Sequence, residues 1–176
     1  MDSPFRFEND SVRRNQRKHP DFLSDSVELS KNETELLSIL ASEEPIRPTQ
    51  LDSFSDIWCL LTPEAFAYYL FKFIECQVSN PCEEYLLIDN LLLFFSRPIN
   101  SIFLDAFFLE RVKKLSSIEF DYLEKWLWWL IDCQTYNQDL VLQSLDVVLY
   151  CKDMNQNGWQ SNTDHRQSST FRRVRT

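Results

Sequence analysis

Glycine is almost missing from this chain: Gly158 is the only one in 176 residues. Tight hairpins and phosphate-cradling loops need glycine wherever φ must be positive. Its scarcity excludes a dinucleotide fingerprint and a P-loop outright. A fold so poor in glycine has to be built from helices whose ends are stopped by Pro, Asn and Ser. Histidine is nearly as scarce. His19 and His165 lie in polar, charged terminal stretches, far from the shielded setting that a general base requires. No CxxC, HxxxH or ExxH spacing occurs, so no common metal-ligand pattern is present. Long apolar runs are missing too. Runs such as Leu91–Phe95 fall far short of the about 20 residues needed to cross a bilayer. The N-terminus reads Phe5-Arg6-Phe7-Glu8-Asn9-Asp10, with no apolar core of a signal peptide.

Aromatic residues and acids are abundant. Fourteen Phe, five Trp and six Tyr supply an unusually aromatic core. The net charge is −9, unevenly spread: residues 1–20 carry +2, 21–60 carry −7, 61–153 carry −7 and 154–176 carry +3. This acidic body disfavours nucleic-acid binding by the core and favours attraction to a basic partner. Arg172, Arg173 and Arg175 leave open a nucleic-acid contact through the tail. Five cysteines without a paired spacing read as reduced thiols in a cytoplasmic protein.

Helix signals recur along residues 31–152, between an expected flexible arm at 1–30 and a flexible basic tail at 153–176. Asn32 and Glu35 open a short helix bearing Leu36, Leu37 and Leu40, stopped before Pro45. Leu51, Phe54, Ile57 and Trp58 anchor the following connection, which has room for one short helix. Thr62 caps the next helix with Pro63 in its first turn. Phe66, Tyr69, Leu70, Phe73 and Ile74 make its buried stripe. Asn80-Pro81 repeats the device and predicts a helix through Phe95, apolar nearly all round and therefore central; a short strand at 91–95 is the alternative. Leu104, Phe107, Phe108, Val112 and Leu115 mark a helix at 101–115, with Arg111, Lys113 and Lys114 at its negative end. Ser116 and Glu119 form a capping box ahead of a helix to Cys133, with Leu123, Trp126, Leu127 and Leu130 inward. Asn137 caps the last, whose core residues are expected to be Val141, Leu142, Leu145, Val148 and Leu149. The expected fold is all-α: a compact bundle of about five to six helices.

Two polar constellations stand out. Asp121, Lys125, Trp128 and Asp132 fall at i, i+4, i+7 and i+11, so Trp128 shares a charged helix face, the pattern of an interface anchor. The alternative is that residues 101–115 or the last helix cover it. Trp58 and Trp159 are weaker candidates of the same kind. Asp89-Asn90 interrupts the most apolar helix and reads either as a structural hydrogen bond, to Arg97 or a loop carbonyl, or as a polar pocket. Acids such as Glu64, Glu75, Asp89 and Glu124 lack the Glu-x-x-His motif of di-metal bundles, and no cofactor is expected.

The segment Leu60-Leu61-Thr62-Pro63-Glu64-Ala65-Phe66-Ala67-Tyr68-Tyr69-Leu70, with Leu115-Ser116-Ser117-Ile118-Glu119 leading into Phe120–Leu130, resembles a family of small, functionally uncharacterised bacterial helical proteins. Phe71 stands where that pattern usually has proline. The resemblance spans roughly residues 33–132 and implies a bacterial, cytoplasmic protein of accessory type, with no chemistry attached. The leading expectation is a non-enzymatic protein-binding module, of immunity or inhibitor type, that covers a basic partner through Trp128, Asp121, Lys125 and Asp132. The alternatives are a carboxylate-based metal protein or enzyme acting through Asp89, and a nucleic-acid-associated regulator using the basic tails.

Overall fold

The structure is a computed structural model and describes residues 34, 38–40, 46–52, 55, 57–81, 83–99 and 104–159. The expected arm at 1–30, the anchor Phe54 and the basic residues beyond 159 lie outside the described residues. Among the described residues seven helices follow one another: α1 (Pro48–Leu51), α2 (Ile57–Leu60), α3 (Pro63–Val78), α4 (Leu86–Phe95), α5 (Ala106–Val112), α6 (Ser117–Cys133) and α7 (Gln138–Gln156). Residues 38–40 are also helical. Among the described residues there is no strand, so 91–95 is helix and the fold is all-α.

Helices α3, α5, α6 and α7 each start where a capping side chain satisfies an amide group that lacks a partner in the first turn. Thr62 Oγ1 accepts from Ala65 N at 3.2 Å with Pro63 in the first turn. Asp105, a cap that the apolar spacing alone did not mark, accepts from Phe108 N at 2.8 Å. Ser116 Oγ accepts from Glu119 N, and Glu119 Oε2 accepts from Ser116 N at 2.7 Å, the reciprocal box expected. Asn137 Oδ1 accepts from Leu140 N at 3.2 Å. The turn from α6 to α7 demands a left-handed residue, and with no glycine there Gln134 takes φ 54°.

The core is aromatic. Trp58, Trp126, Tyr69, Phe66, Phe73, Phe95, Phe108 and Phe120 are fully buried. Trp58 meets Phe66 and Phe73 edge-on at 5.7 and 5.2 Å, and such pairs add about 0.5–1.5 kcal/mol beyond area burial. Their polar atoms are placed as burial requires. Trp58 Nε1 donates to Leu87 O at 2.9 Å, joining α2 to α4. Trp126 Nε1 donates to Gln77 Oε1 at 3.1 Å, joining α6 to α3. Tyr69 donates to Leu40 O at 3.0 Å. Ser144 Oγ lies 2.8 Å from Leu92 O and seats α7 on α4.

Five expectations need correction. The helix predicted after Asn80-Pro81 begins only at Leu86. Asn80 Nδ2 instead reaches back to Cys76 O at 3.4 Å. Thr135 Oγ1 donates to Pro81 O at 3.1 Å, and the Tyr136 hydroxyl accepts from Tyr85 N at 3.1 Å. These contacts with the α6–α7 turn hold Pro81 and residues 83–85 out of helix. Next, α4 is not apolar to every side: Leu86 and Leu93 are exposed. The last helix runs past Lys152 to Gln156, because Asn155 Nδ2 donates to Ser117 Oγ at 3.3 Å and secures the final turn. Arg111 does not serve merely as a charge at a helix end. It is buried, donating to Leu61 O at 2.6 Å and Phe107 O at 3.0 Å, with its guanidinium 3.4 Å from the Phe107 ring centre. Finally, Leu142 and Leu149, expected in the core, are exposed. The buried face of α7 is Val141, Ser144, Leu145, Val147, Val148 and Cys151. It is rotated away from the two leucines because Ser144 and Cys151, polar or soft in sequence, point inward.

Candidate partner-binding face on helices six and seven

Seventeen and nineteen residues long, α6 and α7 are the longest helices, and they lie antiparallel. Lys152 Nζ on α7 sits 2.7 Å from Asp121 Oδ1 and 2.6 Å from Glu124 Oε2 on α6. The Asn155–Ser117 bond continues the same register one turn further on. The hydrogen bonds that Lys152 donates to Asp121 and Glu124 raise its pKa above its ordinary value, outweighing partial burial.

This register positions the tryptophan. Trp128 is one turn beyond Glu124, and at 3.6 residues per turn it lies within about 20° of Asp121 and about 40° of Glu124 in projection. It therefore stands on the edge of α6 that borders α7. It is 50% exposed, so neither residues 104–115 nor α7 covers it. Across the groove, Leu149 precedes Lys152 by one turn and Leu142 precedes Leu149 by two, and they are 37% and 45% exposed. The antiparallel register sets the level of Trp128 between those of the two leucines. Three large apolar side chains thus line one groove.

Carboxylates rim it. On α7, Asp139, Asp146 and Asp153 recur every seven residues and are exposed. On α6, Asp132 is exposed and Asp121 half-buried. Lys125 is exposed, its Nζ 5.9 Å from the Tyr122 ring centre. All four residues named from the sequence, Asp121, Lys125, Trp128 and Asp132, fall on this face. Asp121 is engaged by Lys152 rather than by its helical neighbour Lys125. Lys152, Leu142 and Leu149 were missed. A signal for Lys152 did exist: Val148, Leu149, Asn155 and Gln156 surround it at helical spacing, so a partner for its charge had to come from another helix.

The second constellation is separate and lies on α4. Asn90 Nδ2 donates to Ser55 O at 2.8 Å, the loop-carbonyl bond that a structural role implies. Asp89 is half-buried, and burial, followed by the nearby Glu84 charge, raises its pKa. Arg97 does not serve it: its Nη1 pairs with Asp105 Oδ2 at 2.9 Å. Glu64 is engaged by Lys114 at 2.6 Å, and that bond lowers its pKa. Among the described residues no group of three or more His, Cys, Asp or Glu is arranged to hold a metal. Cys59, Cys76 and Cys151 carry free thiols. Burial pushes the Cys76 thiol up to about 11 and Cys151 to about 12, which leaves both unreactive at neutral pH. No described helix is long and apolar enough to cross a membrane.

Fold and face together define an all-α protein with an exposed, acid-rimmed apolar groove. Comparison with protein-family models, with curated proteins and with solved structures finds no match.

Proposed function

We propose that this chain is a non-enzymatic protein-binding module of immunity or inhibitor type, which covers a basic partner with the outer face of α6 and α7. The observation that carries this reading is Trp128, a half-exposed aromatic in a groove between two long helices. Interface hot spots favour tryptophan over other residues, and a large apolar side chain on a charged face has no evident folding role. The surrounding carboxylates and the net charge of −9 support a basic partner, since complementary charge speeds encounter and rejects wrong surfaces. As part of the same proposal, the protein acts in the bacterial cytoplasm, as the resemblance of the Leu60–Leu70 segment implies. An odd number of cysteines without a paired spacing supports a reducing compartment.

Site-specific photocrosslinking tests the reading. A photoreactive residue at position 128 should yield one stoichiometric adduct in native cells, and the partner so identified should lose at least about tenfold in affinity for Trp128→Ala. A partner that binds Trp128→Ala and Asp132→Lys as tightly as the parent chain would remove this face from consideration.

A further inference from the structure

We infer that the element received by the α6–α7 groove is a basic amphipathic helix of the partner, lying along the groove with apolar residues on Trp128, Leu142 and Leu149 and with Lys or Arg against the carboxylate rims. This rests on the reading of α6–α7 as the binding face and specifies its occupant.

Dimensions support a helix. Leu142 and Leu149 are seven residues apart, about 10.5 Å along α7, the distance spanned by apolar residues at i and i+7 of a helix lying alongside. The rim carboxylates Asp139, Asp146 and Asp153 extend over fourteen residues, about 21 Å, matching basic positions repeated each two turns. A groove between two antiparallel helices accepts a third by packing ridges into it. Apolar anchors at i, i+3 or i+4, and i+7 are the usual currency of helix-in-groove recognition. An extended peptide has no template here, because the described residues offer no strand to extend.

Charge selects the sign of the occupant. Asp121, Glu124, Asp132, Asp139, Asp146 and Asp153 face Lys125 and Lys152, leaving the groove and its rims at −4. Two copies of this face would repel each other, so like charge opposes self-association through it. The same sign excludes the backbone of a nucleic acid.

The inference is tested on the full chain with a labelled synthetic helix of about 18 residues, Leu at positions i, i+3, i+4 and i+7 and Lys elsewhere. Fluorescence anisotropy should show saturable, salt-sensitive binding. A scrambled peptide of the same composition and a Glu-for-Lys counterpart should each bind at least about tenfold more weakly. The double variant Trp128→Ala/Leu149→Ala should lose at least about tenfold in affinity, as should Asp146→Lys/Asp153→Lys, which keeps the apolar strip. Leu86→Gln/Leu93→Gln, on the exposed edge of α4, should bind as the parent does. Circular dichroism confirms that each variant is folded. Equal binding of the scrambled peptide, no binding of the Lys/Leu helix at low salt, or unchanged binding by both groove variants overturns the inference. A partner crosslinked at position 128 that the Lys/Leu helix fails to displace would overturn it while leaving the wider reading intact. A Trp128→Ala chain that keeps its partner would remove that reading.

Discussion

Trp126 and Trp128 stand two residues apart on one helix and live in opposite surroundings. Trp126 is 1% exposed and bonded through its indole nitrogen to Gln77, whereas Trp128 is half in water. Two residues turn a helix by about 200°, so one ring enters the core and the other leaves it. The run Trp126-Leu127-Trp128-Trp129 shows no difference in hydropathy that would reveal this. What separates the two rings is the arc on which each falls relative to Leu123, Leu127 and Leu130. The inner arc holds the bundle together, and the outer arc is open to a partner.

The largest effect should break the comparison if it is misread. Trp126→Ala is expected to destabilise the fold by about 3–5 kcal/mol through the cavity and the lost indole bond, measured by denaturant unfolding. Trp128→Ala should change stability by no more than about 0.5 kcal/mol. Equal losses would mean that Trp128 is covered by the fold.

Next in size is the turn that sets how α7 lies against the outer arc. Gln134 pays for its left-handed backbone, and Gln134→Gly removes that strain at the expense of a looser unfolded chain. A gain of up to about 1 kcal/mol is expected. A loss would show that the Gln134 side chain supports the turn in some other way.

Lys152 clamps α7 to α6 beside the outer arc. Lys152→Ala should cost at most about 1 kcal/mol, shrinking as salt is added, since the carboxylates are partly solvated. The pKa of Lys152 is raised by folding, so its contribution is full below the ordinary value of 10.5 and fades as pH climbs through the raised value. Thermal melts of the parent and variant should therefore converge at strongly alkaline pH.

The smallest effect concerns Asp89. Burial raises its pKa, so its charge weakens the fold at neutral pH, and the penalty disappears as pH falls through the raised value. Asp89→Asn should melt slightly higher than the parent at pH 7, with the difference gone below the ordinary value of 3.8. A lower melting point at pH 7 would mean that the carboxylate is used.

Much of the architecture was legible residue by residue. Thr62-Pro63, Ser116 with Glu119 and Asn137 start helices where they were expected to, because a cap acts on amides within its own first turn. The inward residues of α3 and α6 were equally plain, since their apolar positions repeat cleanly at helical spacing. Asn80-Pro81 misled because the same residues serve as a stop. Thr135 and Tyr136, more than fifty positions away, decide which role they take. On α7 the leucines at 142 and 149 outweighed Ser144 and Cys151 in hydropathy, yet the helix buries the latter pair. A serine can face inward when a carbonyl such as that of Leu92 waits for its hydroxyl, and nothing near residue 144 in the chain discloses that carbonyl.

Read residue by residue, then, the chain specifies helices, their beginnings and an aromatic interior, since capping, proline and the 3.6-residue period operate over a few positions. It also places Trp128 among charges on one face. Only packing decided that this face stays open, that Leu142 and Leu149 join it, and that Lys152 spans Asp121 and Glu124. Those outcomes depend on the register and rotation of one helix against another, set by bonds between residues far apart in the sequence.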